Sequence, residues 1–191
     1  MRPVTYAVIG VSILAAFMVT VLIAQQSQPA QEQKTIPTVG QPKFELGKYG
    51  QTQTLDDAEK MLEYKIKLPT YLPANNSLRM IKVNQESRWS FVIYSPVDVS
   101  DATNEKELIE NSGFIIINAP ISDAIDTNLE VQKLVDVGGK EISMQSVRGV
   151  GLTDIPLMPR YSEIHWWDGD LHRIVGGNFE FTELAKIIES I

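Results

Sequence analysis

The stretch YSEIHWWDGDLHRIV, Tyr161 to Val175, decides the architecture, because two runs of strand-forming residues flank the dipeptide Asp168-Gly169. Asp-Gly between alternating hydrophobics marks a β-hairpin, since both residues tolerate the left-handed backbone of a tight turn. A hairpin joins antiparallel strands, so a sheet grown from this one is antiparallel. Two registers are open. A two-residue turn at Asp168-Gly169 pairs Trp167 with Asp170 and sets His165 opposite His172, where both can hold a metal ion. A three-residue loop through Asp170 sets Trp166 opposite His172 and Ile164 opposite Ile174, which turns the histidines to opposite sides. With no third or fourth ligand evident, His165 and His172 are read as structural, and a metal site as the weaker alternative.

Next to the hairpin, Phe181, Leu184, Ala185, Ile187, Ile188 and Ile191 recur on one face of a helix predicted over 181–190. Glu180, Glu183, Lys186 and Glu189 fall outside that face, so the helix is expected to cover the sheet. Upstream, the apolar run FIIIN, Phe114 to Asn118, suits a central strand. Strands are also predicted at Leu78 to Val83 and at Arg88 to Ser95, where Trp89, Phe91 and Ile93 alternate with polar or smaller residues and one face is core. The polar stretch after Pro96 predicts a loop with a short surface helix near Glu105 to Asn111, stopped by Gly113. Ile121 to Leu134 has two readings. Asp126 can cap a helix through Leu134, or Glu130 to Val137 can be a strand entering a Gly138-Gly139 hairpin toward Ile142 and Met144; the hairpin is preferred.

The domain opens at Thr54, where TLDD offers a capping threonine with an acid three residues later. Leu55, Ala58, Met61 and Leu62 share one side of the helix that follows, which must end before Pro69. IKLPTYLPANNSL then runs extended, with Asn75-Asn76 offering a turn. Strands outnumbering two terminal helices predict an α+β domain over 54–191, a mainly antiparallel sheet covered on one face by helices at the two ends of the domain.

Thr54 to Leu72, with Leu68, Pro69, Tyr71, Leu72 and Pro73 in the pattern Leu-Pro-x-Tyr-Leu-Pro, resembles the opening of a bacterial and archaeal domain family of unknown function. The similarity returns at the tryptophan-containing hairpin and at Glu183, Leu184, Lys186, Ile187, Glu189 and Ser190, which match a terminal helix of the type E-L-x-K-I-x-E-S. Members of that family often form the extracytoplasmic end of membrane-anchored proteins, some of them anti-sigma-factor-like. The resemblance implies the fold and the placement, with no catalytic set. It also favours the three-residue hairpin loop, since the family commonly has an aromatic at the position of His172. No sigma-binding domain precedes the hydrophobic run here, so transcriptional signalling is not among its implications.

That run, Val4 to Ala24, contains no charge in 21 residues. As a helix it would span about 31 Å, matching the hydrocarbon core of a bilayer. Cleavage as a signal peptide fits poorly, because Leu22 or Gln28 would occupy the −3 position. Arg2 precedes the run and no basic residue follows it until Lys34, so a cytoplasmic amino terminus is expected. The expected organisation is a cytoplasmic stub (1–3), a transmembrane signal anchor (4–24), an extracytoplasmic linker rich in Gln and Pro (25–53) and an extracytoplasmic domain (54–191). Ser12, Ala16, Thr20 and Ala24 recur every four residues, which places small side chains on one face where another membrane helix can pack.

Composition narrows function further. The net charge is −7, with no basic patch, which argues against nucleic acid as a partner. Without cysteine there are no disulfides and no thiolate nucleophile. No nucleophile elbow, H-E-x-x-H, P-loop or dinucleotide fingerprint occurs, and neither catalysis nor a cofactor is expected. Asn75 begins a glycosylation sequon, which matters only in a host that glycosylates. The expected role is a membrane-anchored interaction or sensor module at the cell envelope with protein partners. The alternatives are an accessory subunit of a membrane complex and, third, an extracytoplasmic metal-binding protein.

Overall fold

The computed structural model describes residues 45–191 except 74, 122–125, 146 and 154–159. The run 4–24, with Ser12, Ala16, Thr20 and Ala24, and the linker as far as residue 44 lie outside the described residues. Among the described residues no helix is long and apolar enough to cross a membrane.

Eight antiparallel strands form one open sheet in the order β1-β2-β3-β4-β8-β7-β6-β5. They are β1 (Gln51–Gln53), β2 (Ser77–Asn84), β3 (Trp89–Ser95), β4 (Phe114–Pro120), β5 (Lys140–Ser143), β6 (Arg148–Thr153), β7 (Ser162–Asp168) and β8 (Leu171–Gly177). Two consecutive four-stranded meanders therefore meet along β4 and β8, which pair from Phe114↔Gly177 to Pro120↔Leu171. The apolar run of β4 sits at this seam because it is buried on both faces, as the absence of polar alternation requires.

Helix α1 (Leu55–Leu62) starts where Thr54 accepts a hydrogen bond from the Asp57 N–H, and it ends at Glu63 in the left-handed region. With α4 (Phe181–Glu189) it covers one sheet face, here face A. Ala58 and Leu62 of α1 and Leu184, Ile187 and Ile188 of α4 pack there on Ile81, Val92, Phe114, Ile164, Trp166 and Val175. The extended segment before β2 ties this layer together. Thr70 N–H and Oγ1–H donate to the Ser190 carbonyl, Tyr71 N–H donates to Ser190 Oγ, and the Tyr71 hydroxyl bonds Glu183.

Several expectations are corrected. The sheet is covered on both faces. On face B, a 3-10 turn (Leu46–Tyr49) and α2 (Glu105–Glu110) bury Leu46 and Leu108 against Phe91, Ile93 and Ile115. The helix expected at the surface thus covers the sheet, and β3 has core on both sides. The end of the linker, left open by composition where Phe44, Leu46 and Tyr49 could already pack on the domain, falls before residue 46, since Leu46 is buried and β1 pairs with β2 from Gln51↔Val83 to Gln53↔Ile81. Residues 127–136 form a helix, α3 (Thr127–Asp136), and not a strand. Asp126 caps it by accepting from Asn128 and Leu129, and Leu134 packs with Val131 and Val135 on Val150, Leu152 and Trp167. Gly138-Gly139 ends this helix. Their N–H groups donate to the Val135 and Leu134 carbonyls, with Gly138 at φ 100°. β5 pairs instead with β6, whose Gly149 and Gly151 hide it from propensity; Gly151 lies against the Phe181 ring, where a side chain would collide.

Candidate functional site

The hairpin β7–β8 follows neither expected register. Asp168 pairs with Leu171, leaving Gly169-Asp170 as the loop, and Gly169 takes φ 59° at the first loop position, which II′-type turns reserve for glycine. Trp167 is therefore opposite His172 and His165 opposite Ile174. Residues 165 and 167 share a face by the two-residue period, so His165 and His172 are diagonal neighbours on face B.

Their rings are in contact: Nδ1 of His165 lies 3.1 Å from Nε2 of His172, and Nε2 of His165 lies 2.8 Å from Oε1 of Glu163. Trp167 stacks on His172 with centroids 4.9 Å apart and planes 9° from parallel. Glu163, His165 and His172 are 2%, 1% and 4% exposed. Burial first, and then the neighbouring His165, push His172 down to about 3, so it is neutral at physiological pH. One proton then lies between the two rings, while an N–H of His165 faces the Glu163 carboxylate. Both nitrogens of His165 are thereby engaged. Among the described residues no group of three or more His, Cys, Asp or Glu is placed to hold a metal ion.

The polar line continues along the same face. The Tyr161 hydroxyl is pushed well above its ordinary value by burial and by the carboxyls of Glu163 and Glu105. Glu105, at the start of α2, is 3% exposed, and its carboxyl adds to the effect of burial in raising the Tyr49 hydroxyl of the 3-10 turn. Burial raises Glu105 to about 7; the Tyr49 hydroxyl opposes this rise and Glu163 adds to it. Gly176 of β8, opposite Glu163, makes the line possible, because a Cβ there would overlap the Tyr161 hydroxyl oxygen. The 3-10 turn, α2, β7 and β8 thus each place a titratable side chain on one buried face.

A second polar cluster sits on face A near the hairpin loop. Buried Arg173 donates to Asn118 Oδ1 at 3.0 Å and pairs with Asp168 at 3.1 Å, which Lys67 also reaches at 2.9 Å. Asn118 Nδ2 donates to Ser90 Oγ, and the Tyr64 hydroxyl bonds Ser90 and the Asn118 and Arg88 carbonyls. Arg173 is paired with Asp168, although its Nε has no hydrogen-bond partner, and the cluster fastens the segment after α1 to the centre of the sheet.

Asn75 is exposed in its turn at φ 66°, accessible as a sequon must be. Glu105, Glu163, Tyr49 and Tyr161 escaped the sequence reading. One clue was present, since Tyr161, Glu163, His165 and Trp167 alternate with Ser162, Ile164 and Trp166, and bulky residues on both faces mean a strand covered twice.

The fold and site define an α+β domain with an open eight-stranded antiparallel sheet and a titratable core on one face. No family model, curated protein or solved structure matches the chain.

Proposed function

We propose that the chain is a single-pass membrane-anchored protein whose domain acts outside the cytoplasmic membrane as a non-catalytic interaction or sensor module. The observation that carries the non-catalytic part is the sealing of Glu163, His165 and His172 at 1–4% exposure, which leaves a substrate no route to them without opening of the domain. Support for the placement comes from the uncharged run 4–24 and from Arg2 ahead of it. The partner is a protein or an envelope polymer. In intact cells a Ser27→Cys variant should react with a membrane-impermeant thiol reagent, and labelling only after lysis would reverse the orientation.

One observation favours a second reading. The small-residue row Ser12, Ala16, Thr20 and Ala24 suits a helix packed within a membrane complex. Replacing 4–24 with an unrelated anchor of equal length and orientation separates the two. Retained co-purifying proteins support the tethered module, whereas their loss from a still-folded protein supports the complex subunit.

A further inference from the structure

Glu105 is the feature of face B that simple stabilisation does not account for. Glu105 is 3% exposed at the start of α2, next to the bonds that tie the 3-10 turn to Asp101 and Thr103, and burying an ionisable group without a counter-ion is costly. The Tyr49 hydroxyl from the 3-10 turn and the Glu163 carboxyl from β7 act on it in opposite directions. Tyr161, just ahead of β7, is acted on by both carboxyls. Glu163 already has an imidazole partner in His165. The nearby buried lysine, Lys82 of β2, is held at the Gly50 carbonyl and Asp101. Burial first, and then the Glu163 carboxyl, raise Glu105 to about 7, so it is a carboxyl that holds its proton far above the ordinary range.

What Glu105 holds down is a small layer. The 3-10 turn is fastened by Leu46 N–H to the Thr103 carbonyl, Gly47 N–H to the Asp101 carbonyl, and Tyr49 stacked on Phe91 at 4.5 Å. Its apolar cluster is separate from the larger core on face A. A layer with few buried contacts can open without global unfolding.

We propose that Glu105 is a proton-responsive latch: protonated, it lets residues 46–53 and α2 close over face B, and ionised, it favours their release from the sheet. This deepens the sensor reading by naming a stimulus, the proton. Every group involved lies within the domain, so failure of the membrane placement would leave the latch standing.

The test is amide hydrogen exchange on the full chain in mild detergent, corrected for intrinsic exchange, from pH 5 to 8. A carboxyl raised from its ordinary 4.5 to about 7 when closed favours closure fully below 4.5, and that preference is lost as pH rises to 7. Opening of 46–53, relative to β4 and β8, should therefore rise on the order of fiftyfold from pH 5 to 8 and level off above 7. Glu105→Gln should abolish the rise. Tyr49→Phe should move the plateau to higher pH by removing a donor to the carboxylate, and Glu163→Gln should move it lower by removing a like charge. Protection of 46–53 that tracks β4 and β8 at every pH overturns the latch, as does a wild-type rise in Glu105→Gln. Should that variant fail to fold, the other two decide, and a plateau that moves in neither overturns the proposal.

Discussion

Gly176 and Tyr161 share one space, since the Tyr161 hydroxyl occupies the position a Cβ at 176 would take. Gly176→Ala is expected to cost about 2–3 kcal/mol by overpacking and by displacing a buried hydroxyl. Chemical denaturation should show this loss, and adding Tyr161→Phe should recover part of it, a non-additivity that independent sites would lack. His172 gives a second expectation. Its folded value near 3 lies below the ordinary 6.5, so the unfolded chain binds the extra proton between these limits. Stability from a neutral His172 is present above 6.5 and is lost as pH falls toward 3, by on the order of 4 kcal/mol. Glu105 has the opposite sign over 4.5–7. The two slopes oppose each other between 4.5 and 6.5, where wild-type stability should be nearly level before it drops on the acid side. Denaturation midpoints against pH should show His172→Phe, which keeps a ring to stack on Trp167, losing much of that acid drop.

Helix α4 connects these residues to the rest of face A. Ile188 is buried against the sheet, whereas Glu189 points outward, its carboxylate accepting from the Gln145 N–H at 2.8 Å. Ile188→Asp should destabilise by about 4 kcal/mol or more, because it buries a carboxylate and removes apolar contacts. Glu189→Ala should cost less than about 1 kcal/mol, the worth of an exposed hydrogen bond. Equal melting temperatures for the two would show that α4 is not docked. Ser190→Ala should fall between them, since it frees the Tyr71 N–H and loosens the extended segment on the helix end. Helix α3 is held differently. Its cap is local, from Asp126, while Val131, Leu134 and Val135 find their contacts on the sheet, and Leu129 and Val137 remain half exposed.

Among the described residues, the sheet is two meanders that share the face A core. The face A cluster draws Val92 and Ile116 from the first meander and Ile164 and Val175 from the second. Neither half can bury its apolar face alone. Fragments cut between Ile121 and Asp126 should each be largely unfolded and should regain structure when mixed, with circular dichroism as the readout. Independent folding of either half would contradict a shared core. Both outer edges are blunted against further pairing: β1 is three residues long, β2 carries an irregularity between Leu78 and Met80, and β5 presents Lys140 and Glu141.

The features legible in the chain are those settled within a few residues. Thr54 caps α1 through its own neighbours, the apolar stripe of α4 is a period of one helix, and Asp168-Gly169-Asp170 turns because glycine accepts φ 59° there. The candidate site was half legible, since the histidines stood out while the carboxyls and tyrosines joining them did not. Long-range partners decided the rest. Whether Glu130 to Val137 became helix or strand depended on Val150, Leu152 and Trp167, which no local pattern brings near. The hairpin shifted register because β7 and β8 must also match β6 and β4, and a one-residue slip would turn Ile164 and Val175 out of the core. Glu105 came under the influence of Tyr49 and Glu163 only because the 3-10 turn, α2 and β7, far apart in the chain, close on one face of the sheet, and burial there is what makes Glu105 responsive to protons.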